Sequence, residues 1–461
     1  MYTLALKAFG CRYPPPTQQP FPRRVTNSVR FSGSRESGGH ETTTSNLIPY
    51  ETYQLANGLT VVLHHDPKRT VVAVNVLYKV GSRNDPPGRT GFAHLFEHLM
   101  FGGSENVPDF DEALQLAGGE NNAVTGADQT LYYDILPAAN VETALWLEAD
   151  RMARLNLDQK SLDTQKKVVV EEFKETCLEE PYGDLYHHLN ALVYKVHPYR
   201  WPVIGERFEH IEDASLEDVR DFYYTYYRPD NAILAVAGGY DNSLIRGQIK
   251  KWFEDIPPSG PEYRRPALPQ EPEQTETRRK EVIADVPSPV IYLSYLTPGR
   301  MHPDFPAIDI LCFLLGSGRS SLLYRRLVRD GDLFAEASAS HNDSLDSGSI
   351  MIDARPDEDA DYDEARTALF KTIAEFVEKG VTEPQLAKVM NRLEQHNHFK
   401  SINISSRASE LAFYAALGKP ELINAELKQY LAVTVADVNR VARAYLRPER
   451  LSEVDYFSEE E

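Results

Sequence analysis

The stretch Gly91-Phe92-Ala93-His94-Leu95-Phe96-Glu97-His98-Leu99-Met100 decides how the rest of the chain is read. Two histidines stand four positions apart, with a glutamate beside the second. On a helix, positions i, i+3 and i+4 share one face, so His94, Glu97 and His98 point into one space. The flanking Phe92, Leu95, Phe96, Leu99 and Met100 are apolar on nearly every side, which predicts a buried helix. Buried imidazoles and a buried carboxylate need strong partners. Two neutral imidazoles can hold Zn²⁺, and a carboxylate beside them can take a proton from water at the metal. A hydrolytic zinc site has three protein ligands and an open position, whereas a structural site has four, so a third ligand must come from another element. The run Val168-Val169-Val170-Glu171-Glu172-Phe173 offers two adjacent acids. Adjacent helix residues lie about 100° apart, so only one of Glu171 and Glu172 can face the histidines.

Outward from this helix, the chain reads as mixed helix and strand. Residues 50–55 and 59–64 flank Asn57-Gly58 and predict a hairpin. The β-branched run 71–80 suits a central strand. Residues 120–125 and 130–136 predict two strands joined by a turn at Gly126-Ala127-Asp128. Helices are predicted over 110–116, 141–155, 161–193 (interrupted at Pro181-Tyr182-Gly183), 216–227 and 244–253, with a strand over 231–237. Pro257-Pro258-Ser259-Gly260-Pro261 then opens a proline-rich linker. The order restarts beyond it: strand 290–296, helices 305–315 and 320–328, strands 334–340 and 349–354, and helices 362–378, 383–416 and 435–445. Tyr227-Arg228-Pro229 and Leu446-Arg447-Pro448 each close an amphipathic helix, at an offset of 219 residues. This predicts a duplication, with an α+β fold of two similar domains, each an α/β sandwich. The expected division is a leader over 1–49, a zinc-binding domain over 50–256, a linker over 257–277 and a second domain over 278–461. Where the first copy has the histidine motif, the second has Ile308-Asp309-Ile310-Leu311-Cys312-Phe313, so only the first half carries the site.

Composition bounds the rest. The 461 residues carry a formal net charge of −20, which argues against a general nucleic-acid surface. No apolar run reaches about 18 residues, so no membrane span is expected. Cys11, Cys177 and Cys312 are far apart and suggest neither a disulfide framework nor a metal set. Residues 1–35 hold six basic residues and no acid. That resembles an organellar transit peptide, although Pro14-Pro15-Pro16 interrupts any amphipathic helix; the other reading is a disordered leader. The compartment is therefore left between a bacterial cytoplasm or periplasm and an organellar matrix.

These stretches resemble the pitrilysin/insulysin family of zinc metallopeptidases, whose inverted motif is His-x-x-Glu-His, and most of all its half-length, processing-peptidase-like branch. The resemblance is carried by the motif helix through Ser104, by Gly118–Thr125, by Trp146–Met152, by Val168–Glu172 with Pro181-Tyr182-Gly183, and by His197–Gly205. It implies one zinc ion per chain, held by His94, His98 and Glu172, with Glu97 as general base. It implies a peptide substrate that adds as a strand to residues 120–125, with Asn122 and Ala123 in contact. Active relatives carry an Arg and a Tyr in a second half that grips the substrate. Arg329 suits the first, but Leu333-Phe334-Ala335 lacks the tyrosine. Two domains also make half of the family's four-domain clamshell, so a dimer is expected, with a second copy or with a homologous non-catalytic chain. The competing reading is a non-catalytic assembly subunit of a larger complex.

Overall fold

The computed structural model describes residues 47–459, so the leader expected over 1–49, its targeting reading and Cys11 lie almost wholly outside the described residues. The strands are β1 (Glu51–Gln54), β2 (Thr60–His65), β3 (Val71–Tyr78), β4 (Glu120–Thr125), β5 (Thr130–Pro137), β6 (Ala232–Gly238), β7 (Arg278–Ala284), β8 (Val290–Pro298), β9 (Phe334–Asn342), β10 (Ser347–Pro356) and β11 (Leu451–Ser458). The α-helices in the first half are α1 (Phe92–Leu99), α2 (Phe110–Leu116), α3 (Val141–Arg154), α4 (Gln159–Phe173), α5 (Leu185–Val193), α6 (Glu209–Glu212), α7 (Leu216–Tyr226) and α8 (Ile245–Phe253). The second half adds α9 (Phe305–Gly316), α10 (Tyr362–Lys379), α11 (Glu383–Lys400), α12 (Ile404–Ala416), α13 (Leu422–Leu431) and α14 (Val435–Tyr445).

The first sheet runs β1-β2-β6-β3-β5-β4 and the second β7-β11-β8-β10-β9. Apart from β1, the two orders correspond strand for strand. The pairs β2·β6 and β7·β11 are parallel, and the other pairs are antiparallel. Each closing phrase, Arg228-Pro229 and Arg447-Pro448, leads through a short 3₁₀ turn into the strand that joins its parallel pair. The fold is therefore a duplicated α+β sandwich. Strand β4 is the edge of the first sheet opposite β1, and β9 the edge of the second opposite β7.

The central strand β3 is buried on both faces. Val72, Val74 and Val76 join the core under α1, α3 and α7. Its other face is covered from the second half. Ile404, Ala408, Leu411 and Ala412 of α12 pack on Val62, Ala73, Leu77, Leu131, Ala235 and Ala237. The one polar residue inside β3, Asn75, donates to Ser409 Oγ of α12 at 2.9 Å. The exchange is reciprocal: Leu185, Leu189 and Val193 of α5 pack on Leu296, Val454 and Tyr456 of the second sheet. Residues 257–277 contain no helix or strand but are tied down, since Glu271 accepts the backbone N–H groups of Lys195, Val196 and His197 at 2.8, 3.0 and 2.9 Å.

Four local expectations are corrected. The helix expected over 383–416 breaks at Ser401-Ile402-Asn403, where Asn403 accepts from Ser405 and Ser406 N–H and starts α12 anew. The helix expected over 320–328 is a π-helical turn, Tyr324–Arg329. Helix α13 was not anticipated. Strands β7 and β11 were not anticipated either, because β7 is an exposed edge of charged residues, and β11 buries Glu453 and Asp455 against Arg366 and Arg279.

One contact between the halves is set by a histidine. Buried His64 lies 2.7 Å from Pro49 O through Nδ1 and 2.9 Å from Arg407 Nη1 through Nε2. An arginine only donates, so Nε2 accepts and the ring is neutral. Burial holds its pKa below the ordinary 6.5, and the charge on Arg407 acts the same way against the Pro49 carbonyl and Asp66. The unfolded chain therefore takes up a proton that the folded chain does not, and stability falls as pH drops through 6.5. Denaturant titrations between pH 8 and pH 5.5 should give a steeper acid loss for the wild type than for His64→Gln. The difference in slope should approach one proton, about 1.4 kcal/mol per pH unit. Equal slopes would exclude His64 as the source.

Candidate active site

Helix α1 starts at Gly91, whose φ of +89° is open to glycine; a Cβ there would also sit 2.7 Å from Ile204 O. The preceding loop supplies the cap. Asp85, buried, accepts from Gly91 N–H at 2.7 Å and Ala93 N–H at 2.9 Å. Burial pushes its carboxyl well above the usual range despite these bonds. Phe92 and Phe96 pack on Phe222 at 5.7 and 5.3 Å between ring centres, and Phe96 stacks on Tyr227 at 4.8 Å. Tyr132 Oη donates to Phe96 O at 3.2 Å. The motif helix is thus fixed at its start, along its apolar face and at a mid-helix carbonyl.

On its remaining face, His94 Nε2 and His98 Nε2 lie 3.8 and 3.3 Å from Glu172 Oε2, which comes from the last turn of α4. The donor atoms of His94, His98 and Glu172 all lie within 4.8 Å of one another. A tetrahedral ion with bonds near 2.05 Å spaces its ligand atoms about 3.3 Å apart. Two imidazole nitrogens, at 3.3 and 3.8 Å from the Glu172 oxygen, and that oxygen, all within 4.8 Å of one another, match zinc in donor type and number, with a fourth position left over. Glu171 is turned away and pairs with Lys174 at 2.8 Å. Burial lowers the His94 pKa and keeps the ring neutral, as a metal ligand must be. Burial works to raise the Glu172 carboxyl, but the hydrogen bond with His98 opposes it and the carboxyl is held low.

Glu97, between the two histidines on the same helix, accepts a hydrogen bond from Thr125 Oγ1 at the end of β4. This edge strand of the sheet therefore touches the acid of the motif. Asn122 is exposed on this edge and Ala123 buried; Asn122 Oδ1 accepts from Ala123 N–H at 2.8 Å.

Residues 60–207 match the family model described as Insulinase (Peptidase family M16), and residues 213–393 match that described as Peptidase M16 inactive domain. The chain is 33% identical over 410 residues to the zinc protease PqqE of Helicobacter pylori, covering 87% of this chain and 91% of that protein. The chain belongs to the M16 family of peptidases. Another relative, the uncharacterized zinc protease YmxG of Bacillus subtilis, is 26% identical over 85% of this chain and 94% of its own. The crystal structure of a protease from Helicobacter pylori superposes with a TM-score of 0.84 at 30% identity, over 89% of this chain and 100% of that one. Pitrilysin shares the fold with a TM-score of 0.73 at 20% identity, and this M16 chain spans 45% of its length.

Arg329 and three further histidines of the first half have other surroundings. Arg329 is exposed and pairs with its neighbour Asp330 at 2.6 Å. His187 and His188 diverge, to Gly205 O at 3.0 Å and Asp184 Oδ2 at 2.8 Å. His197 is buried in the loop that packs the domain and lies 3.2 Å from Asp346. Sequence reasoning missed Asp85 and Thr125 as partners of the M16 motif. Asp85 lies in the polar loop before the helix, and only its distance from the apolar run hid it as a cap. Among the described residues no helix is long and apolar enough to cross a membrane.

Asp85→Ala would leave two buried N–H groups without an acceptor, costing about 1–3 kcal/mol each. Urea unfolding should show a loss of at least about 2 kcal/mol, with Asp85→Asn losing less because one oxygen still accepts. A loss within about 0.5 kcal/mol, the usual range for surface changes, would mean the cap is dispensable.

Proposed function

We propose that this M16 chain is a zinc-dependent endopeptidase, acting on peptides or unfolded polypeptide segments as the catalytic member of a dimer. The observation that carries the reading is the convergence of His94, His98 and Glu172 beside Glu97. His94, His98 and Glu172 would hold the ion, with Glu172 preferred to Glu171. Bound zinc supplies Lewis acidity, polarising a peptide carbonyl and lowering the pKa of water. Glu97 takes a proton from the attacking water as its oxygen bonds the carbonyl carbon, then returns it to the leaving nitrogen as the C–N bond breaks. Thr125 holds the Glu97 carboxylate in the direction of that transfer. The free edge of β4 receives the substrate backbone as an added strand, at Asn122 and Ala123, so recognition is chiefly of backbone.

Relatives named zinc proteases support the metal and the reaction class. The half-length match to pitrilysin and to the periplasmic protease PqqL of Escherichia coli, of which this chain spans 47%, supports a second chain that completes the cleft. Arg329, exposed on the second half, is available to a substrate carbonyl in such an assembly. The intact set of motif residues weighs against a non-catalytic assembly subunit.

Purified with any chain that accompanies it, the wild type should hold one zinc ion per chain and cleave a quenched peptide in a chelator-sensitive way. Glu97→Gln should retain zinc and lose cleavage by a factor on the order of 10²–10⁴. Glu172→Gln should lose zinc affinity where Glu171→Gln does not. Undiminished cleavage by Glu97→Gln, or equal zinc binding by the two glutamine variants, would overturn the corresponding assignment.

A further inference from the structure

The turn that follows Thr125 is held from three sides. Ser82 N–H and Arg83 N–H donate to Gly126 O and Ala127 O at 3.2 and 3.0 Å. This approach needs Gly81, where a Cβ would lie 2.3 Å from Gly126 O. The side chain of Asp128 pairs with Arg83 Nη1 at 2.7 Å, accepts from Tyr199 Oη, and accepts from Leu345 N–H at 2.9 Å. Leu345 belongs to the turn between β9 and β10, in the second half of the chain. The next residue completes the circuit. Asp346 lies 3.0 Å from Arg83 Nη1 and 3.2 Å from His197 Nε2, and its N–H donates to Tyr199 Oη at 3.2 Å.

The pattern of bonds is more than adhesion between two halves. Apolar contact already joins them through α5 and α12. At the turn the joining groups are polar, a carboxylate and two backbone N–H groups, and they reach several segments of the first half. Arg83 belongs to the loop whose Asp85 caps α1, and Asp128 stands three residues from Thr125. The hydrogen bond from His197 and the charge on Arg83 hold the Asp346 carboxyl below its usual range against partial burial, so it is ionised. His197 Nδ1 accepts from Tyr199 N–H at 3.2 Å, which leaves Nε2 as the proton-bearing nitrogen toward Asp346.

We propose that Asp346 is a positioning residue for the reaction. Acting through Arg83 and Asp128, it fixes the β4–β5 turn, and so sets Thr125 and the Glu97 carboxylate that Thr125 holds. The second half would thus reach the chemistry without contributing a ligand. This rests on the peptidase reading above.

A double-mutant cycle on the full chain tests it. Asp346→Ala should lower kcat for a quenched peptide about tenfold, as small misplacements near reacting groups do, with KM within twofold and zinc content unchanged. Asp346→Asn, which keeps an accepting oxygen, should recover part of the loss and covers the case in which the alanine variant folds poorly. Thr125→Val should also lower kcat, and the double variant Asp346→Ala/Thr125→Val should lose no more than Thr125→Val alone. In zinc-free protein, hydrogen exchange across residues 120–128 should quicken in Asp346→Ala while α9 is unaffected. An active wild type with multiplicative losses in the cycle, or unchanged exchange over 120–128, overturns this proposal alone. A zinc-loaded wild type that cleaves no peptide, or cleavage that survives Glu97→Gln, overturns the peptidase reading instead.

Discussion

The contact between Glu172 and the two imidazoles of His94 and His98, at 3.8 and 3.3 Å, is what the first half is arranged to hold. Its members sit on two helices, with more than seventy residues of chain between His98 and Glu172. Neither helix could keep such groups near its surface without a partner, since α1 is otherwise apolar and buried. The cost of carrying polar groups inward is met locally at each end. Asp85 accepts the first N–H groups of α1, and the π-helical turn Lys174–Glu179 ends α4 directly after Glu172. That turn is tight: Gly183 folds back so closely that a Cβ would lie 2.2 Å from Thr176 O, and Tyr182 takes a φ of +61°. The strain at Tyr182 is held by its hydroxyl, which donates to Ser288 O in the second half at 2.6 Å.

The same dependence runs through the packing. A sheet with helices on one face leaves the other open to water unless something covers it. Each half solves this with a helix from the other: α12 on the first sheet and α5 on the second. Helix α5 follows α4 after the π-helical turn, so the segment that presents Glu172 continues into the core of the second half. Rearrangement of the second sheet would therefore be felt at Glu172 as well as at the β4–β5 turn.

Much of the site was legible because it obeys local periodicity. His94, Glu97 and His98 share a face by helical spacing alone. The choice between Glu171 and Glu172 was narrowed by helix geometry to one of two, and the fold turns Glu172 inward. The repeated Arg-Pro phrase marked the duplication because it precedes the same strand in each copy. What stayed hidden depends on contacts between distant segments. Strand β11 has Glu453 and Asp455 where a buried strand would be apolar, and arginines about 90 and 180 residues earlier make those positions tolerable. Asn403 looked like an interior helix residue until its side chain was seen capping α12. Asp128, Tyr199 and Asp346 carry no pattern at all; they are polar residues in three loops, and only the tertiary fold brings them together.

The second copy makes sense in these terms. Its helix α9 occupies the place of α1 but carries Ile308, Leu311 and Cys312 where a donor set would need histidines and an acid. Helix α9 is apolar and largely buried, and packs its own sandwich with a single buried acid, Asp309. Strand β9 takes the edge place that β4 has in the first sheet, and Leu345 and Asp346 of its turn reach across the interface to Asp128 and Arg83. A duplicated domain that loses its chemistry can drift until only its core matters. This one keeps polar contacts at the edge that faces the motif of its sister, which ties the second half to the site as well as to the scaffold.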